Sequence, residues 1–350
     1  MIIFLQNFAL QATKLCTKIC ILILCEHALT KLCKKEDYIM DLIVSFLFLA
    51  LGFVMLIKGA DWFVDGASSI AGRLGIPQLV IGLTVVAMGT SAPEAAVSIA
   101  AALKGSADIT VGNIVGSNIL NVLIILGLTS VIAPIAVSKS TIFIEIPFMV
   151  FITLLMLVLG IDGTVSLIDG IILLVFFAAY LAYLFIMAKK GKTADNTNDV
   201  KKLKTWQAVL GTIGGLALII AGSNAAVDSA SSIAKAFGMS ERFIGLTVVA
   251  LGTSLPELFT SISAAKKGNP DIAIGNIVGS NVFNILFVVG ISALIVPVPF
   301  SQKFILDTAI AAAAGILLLC CAARRKRIGR AGGIVMLICY ALYFAMLCIR

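Results

Sequence analysis

The sequence predicts an all-α polytopic membrane protein with ten transmembrane helices arranged as two inverted five-helix repeats. Three observations carry that expectation. The composition is too apolar for a water-soluble domain, ten apolar stretches reach spanning length, and one half of the chain repeats the other. Of 350 residues, 60% are hydrophobic and only 13% charged, and the mean hydropathy is +1.11. Soluble domains carry about 25% charged residues. An ordinary soluble enzyme, a disordered chain and a nucleic-acid binder are thereby excluded. The net charge of +8 needs no anionic polymer as partner, because excess Lys and Arg mark cytoplasmic loops in membrane proteins. Helices are expected rather than a barrel, since the apolar runs are continuous and do not alternate.

Residues 1–39 stand apart as an N-terminal extension. Their one apolar run, Ile19 to Cys25, is too short to span. They lack the basic start and the small-residue cleavage site of a signal peptide. The character changes at Met40, which is a candidate first residue. Four cysteines (Cys16, Cys20, Cys25, Cys33) lie in this extension, and four more (Cys320, Cys321, Cys339, Cys348) lie near the end. No CxxC spacing occurs and His27 is the single histidine, so neither group reads as a metal centre.

From Met40 the apolar stretches fall at about 42–64, 78–103, 109–133, 141–160 and 165–187. They resume at 206–234, 241–265, 271–297, 303–322 and 331–349. The sequence thus divides into residues 40–188, a polar linker 189–204, and residues 205–350. The linker carries six lysines against two aspartates and reads as cytoplasmic. The basic run Arg324 to Arg330 lies four crossings later, on the same side, as do Lys266 and Lys267. Asp162 and Asp169 fall on the other side.

The repeat is the strongest signal. Residues 64–94 and 227–257 agree at 20 of 31 positions, at a constant offset of 163. The same offset aligns residues 104–121 with 267–284 without a gap. The shared positions include Asp, Ser, Thr, Asn, Pro and Glu, which apolar composition does not produce. A unit of five helices is odd, so its two copies must run in opposite directions through the membrane. Inverted repeats with matched polar interruptions mark transporters, with the site where the repeats meet.

Each copy places a glutamate inside an apolar segment: Glu94 in Gly89-Thr-Ser-Ala-Pro-Glu, and Glu257 in Gly252-Thr-Ser-Leu-Pro-Glu. At the bilayer centre such a group costs about 2.5–3.5 kcal/mol or more. Pro93 and Pro256 remove a backbone N–H and free a carbonyl one turn earlier, which persists at that depth only where protein, water or a ligand meets it. Thr90 and Ser91 precede Glu94 by four and three residues, so they are expected on its helix face. Thr253, Ser254 and Glu257 repeat this. Carboxylates, hydroxyls and carbonyls form a hard oxygen shell suited to Ca²⁺, and nitrogen and sulfur ligands are lacking nearby. The following helix of each copy carries a polar stripe, Asn113, Ser117 and Asn121, or Asn276, Ser280 and Asn284. Its GxxxG glycines read as helix packing. Asn118 and Asn281 read as bonding across helices, and Asp65 and Asp228 as local caps or pairs. Asp61 and Glu145 read as interfacial.

The paired G-T-S-[AL]-P-E and G-N-I-V-G-S-N-x-x-N segments resemble the two alpha-repeats of the sodium/calcium exchanger family, within the cation/Ca²⁺ antiporter superfamily. The resemblance covers about 41–350 and lacks a large regulatory insert, as in compact prokaryotic forms. It implies ten helices, with the second, third, seventh and eighth around four clustered cation sites. It implies Glu94 and Glu257 as shared Ca²⁺ ligands, with Thr90 and Thr253 contributing mainly backbone oxygens. Ser91, Ser117, Ser254 and Ser280, with carbonyls such as those of Ala87 and Ala250, would serve Na⁺. Asn121 and Asn284 would line the centre. Some relatives carry Asp where this chain has Asn284, so no K⁺ requirement is expected. The function expected is Na⁺/Ca²⁺ exchange by alternating access in the cell membrane. Ca²⁺ and Na⁺ are the substrates and the bilayer is the surroundings; no cofactor or ATP is needed, and no protein or nucleic-acid partner is indicated. Ca²⁺/H⁺ exchange is the alternative and a cation channel the more distant one. An enzyme is not expected, since no H-E-x-x-H or nucleophile–base arrangement is present.

Overall fold

The computed structural model describes residues 40–103, 108–191, 203–238 and 250–349. The N-terminal extension, most of the linker and the leading part of the helix expected at 241–265 lie outside the described residues. The first repeat comprises α1 (Met40–Leu74), a bent pair α2 (Gln78–Thr90) and α3 (Ala92–Leu103), α4 (Thr110–Ile132), α5 (Thr141–Leu159) and α6 (Leu167–Gly191). The second comprises α7 (Thr205–Ala236), α8 (Ala250–Thr253), α9 (Leu255–Lys266), α10 (Pro270–Ile295), α11 (Gln302–Ala323) and α12 (Arg330–Ile349). Among the described residues eight helices are long and apolar enough to cross a membrane, or nine if α2 and α3 form one span.

The breaks follow from local chemistry. The α2–α3 pair bends by 50°. Its joint is Ser91, at φ −84° and ψ 6°, two residues before Pro93, which cannot donate to the helical ladder. Ser254 breaks the second copy with nearly the same angles, φ −92° and ψ 3°. The end of α1 is set by Gly75, at φ +63°, with the Ile76 N–H donating back to the Ala71 carbonyl at 2.9 Å. This left-handed glycine stop recurs at the matching Gly238.

Three contacts make the inversion visible. First, α1 and α7 pack antiparallel through small residues one heptad apart. Gly52 meets Gly222, Gly59 meets Gly215, and Gly66 meets Ala208. The repeat offset turns Gly52 into Gly215 and Gly59 into Gly222, so the first two contacts exchange under the symmetry. Second, β1 (Ile135–Ala136) pairs with β4 (Arg327–Ile328), and β2 (Thr164–Val165) pairs with β3 (Val298–Pro299), both antiparallel. The offset carries β1 onto β3 and β2 onto β4. Third, β1 and β2 lie at opposite ends of α5, so each ribbon joins non-equivalent strands on one side of the bundle.

Helices α4 and α10 occupy the centre. Ile114, Ile119, Ile277 and Val282 are fully buried in the main core, while α1 and α7 hold a smaller cluster built on Leu56, Phe63 and Ile219. Large apolar side chains such as Leu47, Phe143 and Leu342 cover the outside, as a lipid-facing surface requires.

The α1–α7 contact is close enough to test. A Cβ at Gly215 would lie 2.5 Å from the Phe63 backbone nitrogen, whereas one at Gly214 meets nothing within 4 Å. Gly215→Ala should therefore destabilise by about 1–3 kcal/mol. Gly214→Ala should be neutral or raise stability by up to about 1 kcal/mol. Thermal unfolding of both variants in one detergent checks this, and equal melting temperatures would contradict the close packing.

Candidate cation site

Glu94 opens α3 and Glu257 opens α9, each in the first turn. Both are 1% exposed. The first turn of a helix leaves N–H groups unpaired and carries the positive end of its dipole, so the serine–proline break places each carboxylate where backbone favours negative charge.

The hydroxyls act crosswise. Ser91 donates to Glu257 Oε1 at 2.7 Å, and Ser254 donates to Glu94 Oε1 at 3.4 Å. Thr90 is a further polar neighbour of Glu257, and Thr253 of Glu94. This corrects the expectation that Thr90 and Ser91 share a helix face with Glu94. The break at Ser91 and Ser254 ends the helical register, and the inverted packing brings each serine against the other repeat's glutamate.

Asparagines hold this layer from α4 and α10. The Asn113 amide donates to the Glu94 carbonyl at 3.3 Å and to Ser98 Oγ at 2.9 Å. The Asn276 amide does the same to the Glu257 carbonyl at 3.3 Å and Ser261 Oγ at 2.9 Å. Asn276 Oδ1 then accepts from the Thr90 hydroxyl at 3.0 Å. Ser98 and Ser261 escaped the sequence reading. Their signal was available: each lies four residues after its glutamate, and the repeat offset pairs them. Ser223, which donates to the Gly252 carbonyl freed by Pro256 at 2.8 Å, carried no such signal, because Ala60 stands in the matching place.

One layer further in, Asn118 and Asn281 donate to each other's backbone carbonyls, at 3.3 and 3.2 Å. Their side-chain oxygens accept from Asn284 Nδ2 at 3.1 Å and Asn121 Nδ2 at 2.9 Å. The reading of Asn118 and Asn281 as bonds across helices matches this geometry. Asn121 and Asn284 each begin a π-helical segment, Asn121–Leu126 and Asn284–Val289, a local widening frequent at functional sites.

On these glutamates and asparagines four buried oxygens have no hydrogen-bond donor among the described residues: Glu94 Oε2, Glu257 Oε2, Asn121 Oδ1 and Asn284 Oδ1. All four are acceptors and they form two symmetry pairs. Buried acceptors normally find partners; a hard cation satisfies such a set, as two carboxylate and two amide oxygens are typical Ca²⁺ donors. Of the remaining expected residues, Ser280 approaches the Ala87 carbonyl at 3.4 Å and Ser117 is buried on α4. Ala250 begins α8, and its side chain lies outside the described residues.

Other acids lie elsewhere. Lys267 pairs with Asp65 at 2.7 Å and with Asp61 at 3.6 Å, and Ser263 donates to Asp61 at 2.6 Å. These pairs join α1 to α9 and its C-terminal end across the two repeats, which corrects the reading of Asp65 as a local cap or pair. Glu145, near the start of α5, is buried rather than exposed. It is 1% exposed, because a π turn at Thr141–Glu145 directs it between α5 and α6, where Tyr183 donates to it.

Comparison with known proteins decides the family. The model described as sodium/calcium exchanger protein matches residues 44–186 and 207–349, one match per repeat. The chain belongs to the sodium/calcium exchanger family. It is 32% identical over 361 residues to the sodium/calcium exchanger MaX1 of Methanosarcina acetivorans, covering 87% of this chain and 98% of that one. It is 42% identical over 260 residues to the inner membrane protein YrbG of Escherichia coli, covering 71% and 79%. The solved structure of the sodium-calcium exchanger NCX_Mj soaked with zero Na⁺ and Ca²⁺ superposes with a TM-score of 0.77 at 35% identity, covering 87% of this chain and 99% of that one. As a family member the chain is a multi-pass membrane transporter of the cation/Ca²⁺ exchangers, not an enzyme.

The crosswise pairing has a spectroscopic signature. The infrared carboxyl band lost in Glu257→Gln should be the band that Ser91→Ala shifts, and the band lost in Glu94→Gln the one that Ser254→Ala shifts. The opposite assignment would mean that each serine serves its own repeat.

Proposed function

We propose that the chain exchanges Na⁺ for Ca²⁺ across the cell membrane by alternating access, with Glu94 and Glu257 as the ligands both ions share. The observation that carries this reading is the set of four donor-less acceptor oxygens, two from each repeat and paired by the repeat offset. One Ca²⁺ balances the two carboxylates, and so do two Na⁺. Each ion therefore displaces the other, and a site filled by either can reorient without exposing bare charge to the bilayer. Thr90, Thr253, Ser91, Ser117, Ser254 and Ser280, with the carbonyls of Ala87 and Ala250, supply the remaining oxygens. Asn121 and Asn284 cap the centre with neutral oxygens, so K⁺ is not required. The solved relative NCX_Mj, studied after soaking with Na⁺ and with Ca²⁺ or Sr²⁺, supports the choice of ions.

Purified protein in vesicles tests the ion pair. A Na⁺ gradient should drive ⁴⁵Ca²⁺ movement, and a K⁺ gradient should not. Protons compete for the same carboxylates, so acidification should inhibit. Ca²⁺ accumulation driven by a pH gradient without stimulation by Na⁺ would instead establish Ca²⁺/H⁺ exchange. Glu94→Gln and Glu257→Gln should each abolish Ca²⁺ flux while the protein still inserts. Normal flux in either would remove the shared site.

The linker 189–204 is assigned to the cytoplasm, together with the β1–β4 ribbon and its basic run. Cysteine replacing Lys326 in a cysteine-free background should resist impermeant thiol reagents in right-side-out vesicles, and cysteine replacing Asp162 should react. The converse pattern would reverse the orientation.

A further inference from the structure

A third buried carboxylate lies away from the Glu94–Glu257 pair. Glu145 ends the π turn at the start of α5 and faces α6. The π turn exists because Pro147, two residues on, cannot donate to the ladder. The matching residues of the second repeat, Thr308 and Ile310, lie in regular α-helix, so the feature belongs to the first repeat alone. Beside Glu145 is a cavity of about 230 Å³, lined by Phe148, Phe176, Tyr180 and Tyr183. Phe148 and Tyr180 stack with centroids 5.4 Å apart and planes 10° apart. Tyr183 donates to Glu145 Oε1, and the hydroxyls of Ser140 and Thr141 lie nearby.

Two polar atoms of this cavity are left over. Glu145 Oε2 and the Tyr180 hydroxyl are buried without a hydrogen-bond partner, in residues 1% and 5% exposed. A buried carboxylate that is half satisfied is costly, and its natural complement is a cation. A metal ion does not suit the cavity, since Ca²⁺ takes six to eight oxygens and the other walls are aromatic. An organic ammonium suits both parts. Its charge pairs with the carboxylate, its N–H groups meet the two free oxygens, and ring faces attract cations. The rim residues Ile144 and Ala179 are exposed on the lipid-facing side, so an apolar tail can stay in the bilayer while the head enters.

We propose that the cavity between α5 and α6 binds an organic ammonium group carrying an apolar tail, with Glu145 as its counter-ion. Such a group comes from the headgroup of an aminophospholipid or from a free amphiphilic amine.

The test uses the full chain in nanodiscs of phosphatidylglycerol, with tritiated dodecylamine as probe and empty discs as background. Wild type should bind the amine saturably, and dodecyl sulfate should not displace it. Glu145→Gln should weaken binding about tenfold or more, as expected for loss of a charged hydrogen bond, while Ca²⁺ exchange persists. Should that variant fail to fold, Tyr180→Phe keeps the ring and should still weaken binding severalfold. A second arm asks native mass spectrometry which lipid is retained from discs mixing phosphatidylethanolamine with phosphatidylglycerol. Preferential retention of phosphatidylethanolamine, lost in the Glu145 variant, identifies a lipid headgroup as occupant; amine binding without that preference identifies a free amphiphile. If neither ligand depends on Glu145 or Tyr180, the proposal is overturned.

Discussion

Two carboxylates buried at the centre of a membrane protein, each held by hydroxyls of the opposite repeat, set the terms for the rest of the structure. Neither glutamate is satisfied within its own half. Ser91 reaches Glu257 and Ser254 reaches Glu94, so the acidic pair exists only when the inverted halves are docked. Charge at this depth tolerates no error of placement, and the surrounding devices serve that placement. The serine–proline breaks put each acid at a helix start. The asparagine clamps from α4 and α10 fix the first turns of α3 and α9. The reciprocal Asn118–Asn281 bonds join the two central helices.

The same constraint explains where glycine is used. Helices α1 and α7 carry the heptad of small residues that lets their backbones touch, and they keep a small core of their own beside the main one. Helices α1 and α7 touch through this glycine seam, with Arg73 of α1 also donating to the Thr205 hydroxyl of α7 at 3.0 Å, whereas α4 and α10 are tied by a network of amides. The central helices are thus joined by amides and the flanking pair by a glycine seam, with the Lys267–Asp65 and Ser223–Gly252 contacts tying that flank to the broken helices.

The departures from symmetry are as informative as the symmetry. Ser223 meets the Gly252 carbonyl, while Ala60 stands opposite Gly89. Pro147 opens a π turn in α5 and nothing opens one in α11. The two halves are therefore not interchangeable in detail, and features confined to one half, such as the Glu145 cavity, are not explained by the paired glutamates.

Much of this was legible in the sequence. Helix positions, the inverted arrangement, the paired glutamates and the polar stripes all follow from apolar run length, odd crossing number and a constant offset of 163, because in lipid each segment must satisfy its own backbone and the spanning length is fixed. The crosswise partners were not legible. Local spacing placed Thr90 and Ser91 beside Glu94, but a break at Ser91 cancels helical register, and only docking of the second repeat decides which acid a hydroxyl meets. Glu145 shows the same limit. Its sequence position suggested the membrane interface but not its burial, which a π turn before Pro147 and the ring of Tyr183 on another helix bring about. The sequence by itself determined which segments cross and which polar groups must be satisfied; the tertiary structure decided by whom, since a polar side chain's partner depends on distances between helices that no single helix encodes.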